Sequence, residues 1–191
     1  MKILLSPHLD TVVYPFKFEY SFGIHKGLLD NTIGVLATYL AIYGNQSILK
    51  KASKGEIGVW HNWNEEFGML ENETELDSEA TIIIVDVASG DKYKGLDFAI
   101  ENVGFIGEKE MRQLYENLKW EGYKLTYKMY NGDEEDEDEA WKWLDRGFRV
   151  LSFTIPIKSP KGNWHSEEST ITHRRLKKAV QGLQRLICYL S

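Results

Sequence analysis

Apolar residues recur along this chain with two periods, and the two alternate. Lys2 to Ser6 reads as a short apolar strand. Phe16, Phe18, Tyr20 and Phe22 alternate with Lys17, Glu19 and Ser21, the period of a half-buried strand. After Asp30 the period lengthens: Ile33, Leu36, Ala37, Leu40 and Ala41 share one helical face, and Gly44 supplies a stop. Ile57 to His61 and Thr81 to Val87 read as strands, the second continuously apolar over Thr81-Ile82-Ile83-Ile84-Val85 and so predicted central, covered on both faces. Met111, Leu114, Tyr115 and Leu118 mark a helix, and Leu125 to Met129 a strand. Glu139 to Arg146 predicts a helix ending near Gly147, followed by an apolar strand over Val150 to Pro156. Thr172 is placed to cap a last helix that buries Leu176, Val180, Leu183 and Ile187. No repeat, low-complexity linker or Pro/Gly-rich boundary interrupts the series. Strands alternating with helices predict a single α/β domain over residues 1–191, with a mainly parallel sheet between helix layers.

Composition narrows the class. With 191 residues the chain is long enough for one sizeable core, and 42% hydrophobic with 27% charged residues is the balance of a soluble domain. No apolar run reaches membrane-spanning length, and the N-terminus reads as a strand rather than a signal peptide. Cys188 is the only cysteine, so neither a disulfide framework nor a cysteine metal cluster is available. A cytoplasmic protein with no membrane partner is the expectation. The net charge is -6, and one run of seven acids, Asp133 to Glu139, accounts for it. That run reads as a solvated loop entering a helix. The remainder is close to neutral and has no basic stripe, so no nucleic-acid partner is expected.

The candidate chemistry lies at or after the predicted strand ends, where ligands bind in open α/β sheets. His8, Asp30, Glu65, Glu66, Asp86 and His165 supply two imidazoles and four carboxylates, the inventory of a two-zinc hydrolytic site. Asp10 follows His8 by two, so in an extended segment it projects to the same side and is placed to hydrogen-bond the far nitrogen of the ring. Asp30 precedes a helix and is the best candidate for a bridging carboxylate, although taken alone a plain N-cap is the more ordinary reading. Glu65 and Glu66 are adjacent and repel. A division of labour resolves this, with Glu66 on a metal and Glu65 free as general base, while an exposed acidic turn is the alternative. Asp86 interrupts an apolar strand, where a carboxylate is costly without a partner. His165 lies in a polar loop. His61, between Trp60 and Trp63, reads as part of an aromatic cluster; His25 and His173 have no supporting context, and His173 reads as helix surface.

Taken in order, this set resembles the zinc-dependent exopeptidase superfamily, which includes leucyl and glutamyl aminopeptidases and related di-zinc carboxypeptidases. The pattern is a histidine with a following aspartate, an aspartate before a helix, a Glu-Glu pair, an aspartate and a late histidine. The intervals are 22 residues from His8 to Asp30, 35 from Asp30 to Glu65 and 20 from Glu66 to Asp86. Ser152 to Ile157, then His165-Ser166-Glu167-Glu168, looks like the family's closing strand and metal histidine. The resemblance implies a three-layer α/β/α sandwich around a mixed, mainly parallel sheet, the phosphorylase/hydrolase-like fold. It implies two divalent ions, zinc by the donor set: His8, Asp30 and Asp86 on one, Asp30, Glu66 and His165 on the other. Glu65 becomes the catalytic base and Asp10 the partner of His8. The short interval between His8 and Asp30 leaves no room for an inserted dimerisation or lid domain, so a short member without one is expected.

The function expected is an aminopeptidase acting on small peptides or aminoacyl substrates, with homo-oligomerisation possible. Arginine suits a terminal carboxylate, and none of Arg112, Arg146, Arg149, Arg174, Arg175 and Arg185 follows a predicted strand end beside a metal motif. That favours recognition of a free amine. The alternatives are an N-acyl amino acid amidohydrolase or carboxypeptidase, and a non-catalytic metal-binding member of the fold.

Overall fold

The computed structural model describes residues 3–9, 18–62, 79–89, 93–104, 107–129, 139–160, 163 and 165–191. Their order is β1 (Ile3–Ser6), β2 (Phe18–Ser21), β3 (Ile24–Gly27), α1 (Thr32–Tyr43), α2 (Gln46–Ser53), β4 (Ile57–Val59), β5 (Thr81–Ser89), β6 (Phe98–Asn102), α3 (Glu108–Trp120), β7 (Leu125–Met129), α4 (Glu139–Asp145), β8 (Arg149–Ile157), β9 (Thr170–Thr172) and α5 (His173–Leu190). Six strands form the central sheet in the order β4-β1-β5-β8-β6-β7. β4, β1, β5 and β8 are parallel; β6 runs against β8, and β7 runs with β6. The sheet is therefore mixed and mainly parallel, and the fold is α/β.

Side-chain alternation along the strands divides the core in two. Ile3, Leu5, Ile83, Val85 and Leu151 face the layer of α1, α2, α3 and α5. Leu4, Ile82, Ile84 and Val150 face α4 through Ala140 and Trp143. Helices thus lie on both faces, giving three layers. The central strand β5 is buried on both sides, as its unbroken apolar run predicts. α5 seats closely on the sheet at Gly182, where a β-carbon would meet Phe98 at 2.2 Å. No described helix is long and apolar enough to cross a membrane.

Several elements differ from the sequence expectation. The Phe16–Phe22 alternation yields only β2, and its residues are exposed rather than half-buried. The strand pairs with β3 in a separate three-stranded sheet, β2-β3-β9, and among the described residues no core layer covers it. Phe16 lies outside the described residues. β3, β6, β9 and α2 have no clear signature: β9 has three residues, and α2 buries Ile48 alone.

The start of α1 joins the fold to the chemistry. Asn31, not Asp30, caps the helix: its Oδ1 accepts from the Gly34 N–H at 2.8 Å. Its Nδ2 donates to the Val85 carbonyl in β5 at 2.7 Å. One amide therefore clamps the helix to the central strand beside Asp86, and the Asp30 carboxylate is left for other partners. The clamp needs glycine at position 34, because a β-carbon there would lie 2.0 Å from Asn31 Oδ1 and 2.4 Å from the Val85 oxygen. Helix propensity alone makes Gly34→Ala favourable by about 1 kcal/mol. Overpacking and loss of the cap oppose it, so the variant is expected to lose about 2 kcal/mol in denaturant unfolding. A gain in stability would contradict the clamp.

Candidate metal centre

The carboxyl edge of the parallel strands gathers four of the predicted residues. His8 follows β1, where its bridge to Asn62 and the Leu9 N–H to the Asn62 carbonyl (2.7 Å) continue the pairing beyond the strand. β1 and β5 pair Ser6 with Ile84, so two residues further His8 is level with Asp86. Asp86 lies inside β5, which runs on to Ser89, rather than at its end. Asp30 arrives from the turn before α1, through a cis Asp30–Asn31 peptide bond. His165 comes from the connection between β8 and β9.

Asp30 is the hub. Its Oδ1 lies 3.0 Å from His8 Nε2, and its Oδ2 lies 3.0 Å from His165 Nε2. Asp86 Oδ1 is 3.4 Å from the same His8 nitrogen. His8 and Asp30 are buried at 2% and 5% exposure, whereas Asp86 and His165 are 33% and 32% exposed. The centre is thus closed below and open above, which a catalytic rather than a purely structural ion site requires.

Its electrostatics call for positive charge. Burial pushes the Asp30 carboxyl up, but the hydrogen bonds from His165 and His8, with their charges, outweigh it and hold Asp30 below the usual carboxylate range. Burial and the neighbouring Asp30 charge raise Asp86, against the pull of His8 and the Val87 N–H. Two carboxylates crowd one imidazole here, and a cation relieves that repulsion. His8, Asp30 and Asp86 present one donor atom each within 4.8 Å of one another. A tetrahedral ion with bonds of about 2.0 Å sets its donors about 3.3 Å apart, and the 3.0 and 3.4 Å separations bracket that value. The residues fit a zinc-type ion.

Asp10, Glu65 and Glu66 lie outside the described residues. Glu65 and Glu66 follow Asn62, which is held beside His8, by three and four positions. His61 joins an aromatic cluster as expected, stacked on Tyr39 with ring centroids 5.7 Å apart and its Nε2 2.8 Å from the hydroxyl. One expectation, that for His25, is corrected. His25 has context after all: it is buried, and its Nε2 lies 3.4 Å from Nδ1 of His173. Chain folding through β3 and β9 makes that contact, which no local pattern announces.

Glu139 was not legible either. As the last acid of the run it reads as solvated, yet it is buried under the centre, on the α4 side. Its Oε1 accepts from Ser6 Oγ at 2.7 Å and Trp143 Nε1 at 3.0 Å. Trp143 one helical turn on, buried in the lower core, was the available signal.

Neither a family model nor a curated protein matches the sequence. Solved structures do match in fold. An aminopeptidase from the archaeon Desulfurococcus kamchatkensis superposes with a TM-score of 0.60 at 16% identity, over 92% of this chain and 52% of that one. The TET1 peptidase of Pyrococcus horikoshii, which can assemble into a tetrahedron or a large octahedral shell, gives 0.59 at 20% identity over 91% and 53%. Aminopeptidase I from Clostridium acetobutylicum gives 0.56 at 12% identity over 88% and 46%. The fold is that of these peptidases, and the chain spans about half the length of each.

Burial pushes the Glu139 carboxyl up to about 7, against the hydrogen bonds from Trp143 and Ser6. A folded-state value above the unfolded one means the folded protein holds the proton longer. Stability from this group is complete below the unfolded value near 4.5 and is lost as pH rises towards 7. The loss is on the order of 3 kcal/mol. Glu139→Gln keeps an acceptor oxygen and cannot ionise. The wild-type-minus-variant difference in unfolding free energy is therefore expected to fall between pH 5 and 7.5; a flat difference would show that Glu139 is already charged.

Proposed function

We propose that residues 1–191 form the catalytic domain of a two-metal exopeptidase, an aminopeptidase acting on small peptides. The observation that carries this reading is the division of one buried carboxylate between two histidines, one oxygen of Asp30 facing each. A single N-cap or a lone ion pair has no need of that arrangement; a carboxylate bridging two ions does. The aminopeptidase character of the fold neighbours supports the same choice.

In this reading His8, Asp30 and Asp86 would hold one ion, and Asp30, Glu66 and His165 the other. Zinc suits the imidazole and carboxylate donors. Bound there, the ions supply Lewis-acid activation of a water and of the scissile carbonyl. Glu65 takes the proton from the attacking water and returns it to the leaving amine. Asp10 holds the His8 ring by its far nitrogen, fixing which nitrogen faces the centre. The partly exposed Asp86 and His165 leave the mouth open to substrate. Assembly with further copies is part of the proposal, by analogy with the TET1 peptidase shells.

The test is hydrolysis of aminoacyl amides and short peptides by the zinc-loaded protein, beside the same protein stripped with a chelator. Activity is expected only when loaded. Glu65→Gln is expected to keep its metal and lose turnover by at least about 10²-fold. Full activity in that variant would overturn the assignment of the base. Faster cleavage of amine-blocked than of carboxyl-blocked peptides would overturn the aminopeptidase choice in favour of amidohydrolase or carboxypeptidase chemistry.

A further inference from the structure

A second feature at the metal end of the sheet has no part in the centre itself. A groove of about 490 Å³ opens between the starts of β6 and β7 and the first turns of α5. Four cations line it: Lys124, Arg174, Arg175 and Lys178. Among the described residues no carboxylate pairs with any of them; the ion pairs of Lys26, Arg112 and Arg185 lie elsewhere. Asp97 is the one acid in the lining, and its Oδ2 already accepts the Lys124 backbone N–H at 2.9 Å. Lys178 is steadied over the Tyr123 ring, 5.3 Å from its centre. In a chain of net charge -6, this concavity gathers four cations against the single carboxylate of Asp97. That arrangement concentrates anions.

Its place relative to the centre sets the ligand. Asp86 is level with Thr154 in β8, and Thr154 with Ala99 in β6, two residues after Asp97. With strands about 4.8 Å apart and about 3.4 Å per residue, Asp97 lies roughly 10 Å across the sheet and about 7 Å along it from Asp86. The direct span of about 12 Å is that of some four extended residues. A tri- or tetrapeptide is long enough to span that backbone separation.

We infer that this groove is a carboxylate subsite, which takes the C-terminal carboxylate or a late acidic side chain of a short peptide and makes the enzyme selective for acidic tri- and tetrapeptides. The inference rests on the exopeptidase reading. Arg174 and Arg175 at the start of α5, which sequence spacing sets apart from the metal motifs, are brought by the fold to the metal edge. The free amine at the cleaved end and the carboxylate at the other are then both recognised, and peptide length is measured between them.

The experiment compares Ala-Ala-Ala-Glu, the same peptide as its C-terminal amide, and Ala-Ala-Ala-Gln in both forms, at one low ionic strength. The wild type is expected to show a KM about tenfold lower for a carboxylate-bearing form than for the neutral amide, the scale of one charge-assisted hydrogen bond. Acid against amide isolates the terminal carboxylate, and Glu against Gln the side chain. Arg174→Gln with Arg175→Gln is expected to abolish the preference while leaving cleavage of alanine p-nitroanilide, too short to reach the groove, unchanged. Arg174→Lys with Arg175→Lys is expected to restore most of it. No preference in the wild type, or the same preference in the Gln pair, overturns the inference and leaves the peptidase reading intact. If no peptide is cleaved under any metal loading, the peptidase reading fails, and calorimetric titration with the same peptides decides the groove. Tighter binding of the acid forms, lost in the Gln pair, supports it, and equal binding overturns it.

Discussion

A buried carboxylate needs a reason to be charged, and in this chain Asp30 has two. Left alone in the interior, its ionised form is costly by several kcal/mol. His8 and His165 offset that cost from opposite oxygens, and they come from positions 8 and 165 of the chain. The end of β1, the turn before α1 and the long connection after β8 are therefore held to one point. Much of the carboxyl edge of the sheet follows from satisfying this group.

The support beneath the centre is polar but fully committed. The Asn31 amide spends its oxygen on Gly34 and its nitrogen on Val85, so Asp30 is fixed against the strand that carries Asp86. Ser6, two residues before His8, donates to Glu139, which also takes the Trp143 indole. Both arrangements join a residue beside a candidate ligand to a distant element. They differ in risk: an amide is always neutral, while Glu139 is a carboxyl whose charge burial suppresses. The Glu139 support is therefore sensitive to pH in a way the Asn31 clamp is not.

Much of this was legible in the sequence, and the reasons are local. The apolar run of β5 and the Thr172 cap on α5 are short-range patterns that the structure repeats. The helix after Asp30 is also there, but its buried face runs through Ile33, Gly34, Ala37, Thr38, Ala41 and Ile42 and leaves Leu40 exposed. His8 and His165 follow β1 and β8 at the carboxyl edge of the sheet, as ligands of open sheets do, whereas Asp86 comes from inside β5 and Asp30 from the turn before α1. The missed features are long-range. Whether the acid run's last member is solvated depends on Ser6, 133 positions away. The exposure of β2 depends on its having joined a small side sheet, and the meeting of His25 with His173 on how that sheet closes. The confusion between Asp30 and Asn31 as helix cap is of another kind: both residues cap well, and only the glycine three residues after Asn31 separates them.

In the proposed function Asp30 is a carboxylate shared by two ions. The most direct measurement is anomalous diffraction at the zinc edge from crystals grown with zinc. Two anomalous peaks about 3.5–4 Å apart, one beside each Asp30 oxygen, are predicted, the first near His8 and Asp86 and the second near His165. A single peak, or none within bonding distance of Asp30, would contradict it.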